Sequence, residues 1–127
     1  MMDSQKEIKA WHKVRIGDKF LNAFRGMHVF CKTSRHLYII ILSILAVIFF
    51  GFYLKVSSLE WIALVFSIGF VVVSEVFNTA IEIDIDLTSP SYHPFARDTK
   101  DVAAAAVVLS IFTAAIVGLI VFLPKIF

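Results

Sequence analysis

Three long apolar stretches alternate with short polar ones along the chain. From Leu37 to Leu54 the sequence LYIIILSILAVIFFGFYL runs 18 residues without a charge, and from Val102 to Leu123 it runs 22 residues without one. Between them, Trp61–Ile81 runs 21 residues with a single charge, Glu75, near its C-terminal end. At about 1.5 Å per residue each is long enough to cross a hydrocarbon core roughly 30 Å thick. The pattern therefore predicts an all-α membrane protein with three transmembrane helices at about 37–54, 61–81 and 102–123, in a domain over 36–127. Within residues 1–35, Trp11, Phe20, Phe24, Met27 and Cys31 recur at near-helical spacing among basic residues. That predicts an amphipathic helix lying at the membrane interface, with Gly17 and Asp18 marking a break. It serves either as a simple anchor or as part of a site.

The loop before the third span is punctuated by Ser89, Pro90 and Ser91 as a turn cluster, and Pro94 stops a helix from running through. Asp98 or Thr99 is expected to cap the third helix, with Asp101 in its first turn. The first long apolar stretch begins only at Leu37 and no small-residue cleavage site follows it, unlike a signal peptide.

Composition supports the membrane reading. Of 127 residues, 59% are hydrophobic and 17% charged, against roughly 45–50% and 25% in soluble domains. The single cysteine excludes an intrachain disulfide, and one Cys with four His offers no zinc-type spacing. A net charge of +2 hides an uneven distribution: eight of the twelve Lys and Arg residues precede the first span. The positive-inside rule then puts the N-terminus and the Asp84–Lys100 loop in the cytoplasm. No feature supports nucleic-acid binding.

Glu75, Asn78, Glu82 and Asp86 fall at i, i+3, i+7 and i+11, on one helical stripe. A carboxylate within the membrane costs roughly 2.5–3.5 kcal/mol on insertion scales, so such residues usually serve a function. The alternative is a Glu75 that sits at the interface, hydrogen-bonded to a neighbouring helix. Two carboxylates and an amide suit Mg²⁺, which takes few protein ligands and completes its shell with substrate phosphates. Lys100 and Asp101, expected at a helix start on the same membrane face, suit phosphate. The five glycines are scattered, with no Walker-type loop.

EVFNTAIEIDIDL (Glu75 to Leu87), YHPFARDTKDVAAAAVVL (Tyr92 to Leu109) and NAFRGM (Asn22 to Met27) closely resemble the prokaryotic diacylglycerol kinase family, which includes undecaprenol kinases. The resemblance spans about Arg15 to the C-terminus. It implies a homotrimer in the bacterial inner membrane, with a surface helix and three spans, phosphorylating a lipid alcohol with ATP and Mg²⁺. It implies Glu75 as catalytic base, Glu82 as metal ligand, and Asn78 as site support. Lys100 would contact phosphate, with Asp101, Tyr92 and His93 near the nucleotide and Arg15 touching lipid or nucleotide. Asp86, Asn22 and Ala104 would line or support the same site.

One position departs from that pattern. Family members usually carry a metal-binding glutamate at the end of the surface helix, where Ser34 stands here, and no carboxylate occurs between Asp18 and Glu60. A catalytically silent relative is therefore one alternative. A small transporter carrying protons on Glu75 is another. The lipid acceptor that the resemblance implies is diacylglycerol or a polyprenol, with the Ala-rich third helix and Asn22-Ala23 pattern closer to the undecaprenol type.

Overall fold

A computed structural model describes residues 15–127; Trp11 and the other residues before Arg15 lie outside it. Four helices follow in order: α1 (Ile16–Thr33), α2 (Leu37–Tyr53), α3 (Ser58–Thr88) and α4 (Pro94–Ile126). The chain divides after Thr33 into two units. The first contains α1, which begins at Ile16, runs through Gly17 and Asp18 without the expected break, and leaves Phe20, Phe24 and Met27 exposed along one side.

The second unit contains α2, α3 and α4. Helices α3 and α4 are both long and apolar enough to cross a bilayer, by length and composition. Uncharged α2 has 17 residues, or about 25 Å.

All three helices bury residues on a period of 3.5. On α2 the least exposed positions are Ile40, Ile44, Val47 and Gly51; on α4 they are Ala103, Val107, Ser110, Ala114, Val117 and Val121. On α3 the run is Trp61, Leu64, Ile68, Val71, Glu75, Asn78 and Glu82, with Ser67 and Thr79 buried beside it. Alternating steps of three and four keep one seam facing a neighbour over many turns, as in left-handed helix packing. The α3 seam is apolar as far as Val71 and polar from Glu75 onward, so the packing that builds the domain also delivers the polar residues to its interior.

The α2–α3 connection is tightly specified. The backbone N–H of Leu54 donates to Phe50 O, and that of Val56 to Gly51 O at 3.0 Å. Lys55 takes a left-handed conformation, φ 52°. Ser57 then opens α3 with a reciprocal capping box: its hydroxyl accepts from the Glu60 N–H, and its own N–H donates to the Glu60 carboxylate at 2.7 Å. Lys125 pairs with Glu60 at 3.1 Å, tying the end of α4 to the start of α3. Beside this pair, Val56, Leu64 and Val121 form an apolar core with Val47, Trp61, Val117 and Phe122.

Helix α4 starts earlier than expected. Pro94 occupies its first turn, where the missing N–H costs nothing, and His93 is extended before it at φ −142°, ψ 134°. The His93 ring nitrogen accepts from the Phe95 N–H at 3.2 Å, so His93 is the cap. Asp98 and Thr99 are not caps: Thr99 turns its hydroxyl back onto Phe95 O at 2.8 Å, and Asp98 meets Arg97 at 3.3 Å. Lys100 and Asp101 consequently lie nearly two turns inside the helix rather than at free N–H groups.

Gly51 touches Trp61 so closely that a Cβ there would overlap the indole ring. We expect Gly51→Leu to lower stability by about 1–3 kcal/mol through overpacking, read as a fall in the unfolding midpoint of the detergent-solubilised protein.

Candidate functional site

Glu75 lies at residue 18 of the 31 in α3 and is only 3% exposed. Its seam position turns it toward the other helices, and two side chains from the turn preceding α2 reach it. His36 Nδ1 lies 3.2 Å from Glu75 Oε1, and the Ser34 hydroxyl donates to the same oxygen at 3.4 Å. His36 was not singled out from the sequence. Its signal was available: a histidine one residue ahead of the first span, on the membrane face expected to hold the polar end of α3.

One turn beyond Glu75, Asn78 is 6% exposed and donates through Nδ2 to Glu82 Oε1 at 3.3 Å. Its Oδ1 is buried with no hydrogen-bond partner among the described residues. An unpaired buried amide oxygen is costly and calls for a reason. Glu75, Asn78 and Glu82 line one cleft with His36 and Ala104, of volume about 330 Å³. That cleft shares Ile39, Ile40, Val71 and Ile111 with an apolar groove of about 360 Å³, which continues between the helices past Ile44, Val47, Ile68 and Ala115.

Asp86 does not join this group. It turns to Lys100, 2.5 Å away, across the ends of α3 and α4. The pair lines a second depression, about 280 Å³, with Tyr92, His93, Ser89, Ser91 and Arg97. Asp101 points elsewhere, with Arg97 at 4.0 Å. The expected site residues of the second unit thus fall into a cleft holding Glu75, Asn78, Glu82 and Ala104, and a separate depression holding Asp86, Tyr92, His93 and Lys100. Ser34 belongs to the first group through Glu75. Arg15 and Asn22 lie on the first unit, where both are exposed.

No group of three or more His, Cys, Asp or Glu side chains able to hold a metal occurs among the described residues. Two oxygen-bearing side chains on successive turns line the cleft, Glu82, whose Oε1 accepts from Asn78 Nδ2, and Asn78, whose Oδ1 is left without a partner. Such a pair matches a cation that takes most of its shell from water and phosphate rather than from protein.

If Asn78 is kept for ligand binding rather than for folding, Asn78→Leu should leave the unfolding midpoint unchanged or raise it. A structural amide would instead cost about 1–3 kcal/mol when removed. Thermal unfolding in detergent decides between the two.

A model of the prokaryotic diacylglycerol kinase family matches residues 21–122. Undecaprenol kinase of Bacillus subtilis (strain 168) is 34% identical over 123 residues, covering 97% of this chain and 96% of the relative. Diacylglycerol kinase of Synechocystis sp. is 35% identical over 106 residues, covering 83% of this chain and 61% of the relative. Diacylglycerol kinase of Escherichia coli (strain K12) is 30% identical over 74 residues, covering 58% of this chain and 61% of the relative. No solved structure matches the chain.

Proposed function

The chain belongs to the prokaryotic diacylglycerol kinase family, and from that premise we propose that it transfers the γ-phosphate of ATP, with Mg²⁺, to a membrane lipid alcohol. The acceptor is a polyprenol such as undecaprenol, or diacylglycerol. The observation that carries this reading is a buried carboxylate, Glu75, in a cleft of mostly apolar lining that runs into an apolar groove between helices. A lipid can lay its chain in the groove and bring its hydroxyl to Glu75. That the relative matched nearly end to end is an undecaprenol kinase favours the polyprenol.

In the reaction, the lipid oxygen bonds to the γ-phosphorus as the bond from that phosphorus to the β,γ-bridging oxygen breaks. The hydroxyl proton passes to Glu75 and ADP leaves. The transition state is loose, with charge on the non-bridging oxygens, so positioning and electrostatics supply most of the rate. Glu82 and Asn78 Oδ1 are the donors that would hold Mg²⁺, whose part is to neutralise charge on the phosphate oxygens. Lys100 is the cation for phosphate, and its Asp86 partner must yield as the phosphate arrives. Tyr92 and His93 border the same depression on the nucleotide side. The reading extends to three spans in the bacterial inner membrane with the N-terminus cytoplasmic, and to a homotrimer.

Purified protein in lipid micelles should phosphorylate undecaprenol more efficiently than diacylglycerol, only with Mg²⁺ present. Glu75→Gln should lower kcat by about 10²–10⁴-fold, the range for a lost general base. Glu82→Gln should raise the Mg²⁺ requirement and abolish transfer at ordinary concentrations. A proton-coupled transporter shares the buried Glu75, but there Glu82→Gln would leave flux intact, and ATP would leave no phosphate on either lipid.

A further inference from the structure

Glu75 is nearly sealed from solvent on an apolar helix, yet no Lys or Arg among the described residues lies within 4.0 Å of it. An ionised carboxylate in such surroundings needs hydrogen-bond donors. Both contacts that reach it come from the three-residue run Ser34-Arg35-His36, and both fall on Oε1. No contact to Oε2 occurs among the described residues.

The backbone of His36 is pinned in place. Its carbonyl accepts from the N–H groups of Ile39 at 3.0 Å and Ile40 at 3.1 Å, the first bonds of α2. Its side chain makes no capping hydrogen bond to α2, so the ring is left for Glu75. The imidazole also lines the cleft with Asn78 and Glu82. A histidine has two side-chain torsions, so holding it in place loses less conformational freedom than holding a lysine. With Nδ1 protonated, even the neutral ring donates to a carboxylate.

We infer that His36 is a positioning residue: together with Ser34 it holds Oε1 of Glu75, so that Oε2 is presented to the hydroxyl of the lipid acceptor. This rests on the lipid-kinase reading and assigns the serine-histidine run a role in that reaction. The hydroxyl of Ser34 then acts on the base rather than on the metal. Neither side chain exchanges a proton with substrate. Their effect is on how often Glu75 has the productive orientation, and it falls on kcat.

The test measures ATP-dependent transfer to undecaprenol in micelles by the full chain and four variants. His36→Leu should lower kcat about 10- to 100-fold, the range for a misplaced catalytic group, with the KM for MgATP changed less than about 3-fold. His36→Asn, whose amide nitrogen can stand where Nδ1 stood, should recover most of the loss. Ser34→Ala should cost less than His36→Leu, and Glu75→Gln sets the floor. If His36→Leu does not fold, His36→Phe keeps the ring volume without a nitrogen and takes its place. A donor-free variant within 2-fold of wild type overturns the proposal while the kinase reading stands. So does a His36→Asn variant as slow as the donor-free one. Wild type that phosphorylates neither lipid overturns the kinase reading, and the proposal with it.

Discussion

A carboxylate buried halfway along an apolar helix is the constraint on which the rest of the arrangement depends. Ionised and unpartnered, Glu75 would oppose both membrane insertion and helix packing. The fold accommodates it by placing it on the seam where α3 meets its neighbours, and by bringing the Ser34 hydroxyl and the His36 ring from the turn before α2. The connection between α2 and α3 sets this register at the far end of the domain. There Gly51 lets the Trp61 ring lie against α2, and the Ser57 and Glu60 capping box fixes where α3 begins. Shift α3 by one residue and Glu75 leaves the seam, with Asn78 and Glu82.

The two ends of the α3–α4 pair do different work. At one end Glu60 and Lys125 close over an apolar core, and the seam is built of Leu64, Val117 and Val121. At the other end the seam is polar and Asp86 holds Lys100. This second ion pair is more exposed, with side chains 67% and 38% accessible, so its net worth to stability is below about 1 kcal/mol. A pair that contributes little to folding can open for an anion at small cost.

Much of this was legible along the chain. Three uncharged or nearly uncharged runs correspond to helices α2, α3 and α4, and the i, i+3, i+7 spacing brought Glu75, Asn78 and Glu82 to one face. The same spacing argument carried Asp86 too far. Its side chain is beyond the seam, and the opposite charge on Lys100 holds it there. The start of α4 was also misread, because Asp and Thr are common caps and His93 is not. The proline after it, which forces an extended His93, decides the matter. Residue pairs such as Ser34–Glu75 and His36–Glu75, separated by 41 and 39 positions, leave no periodic trace. They emerge only when the turn before α2 and the middle of α3 are brought together.

The proposed reaction requires the polar stretch of the α3 seam, from Glu75 to Glu82, to hold nucleotide with a divalent cation. Binding of Mn²⁺ with a non-hydrolysable ATP analogue, followed by electron paramagnetic resonance on detergent-solubilised protein, tests it directly. Bound Mn²⁺ is expected only when the nucleotide is present, and is expected to be lost in Glu82→Gln. Equal Mn²⁺ binding in wild type and Glu82→Gln would rule out Glu82 as a metal ligand and the seam as the nucleotide site.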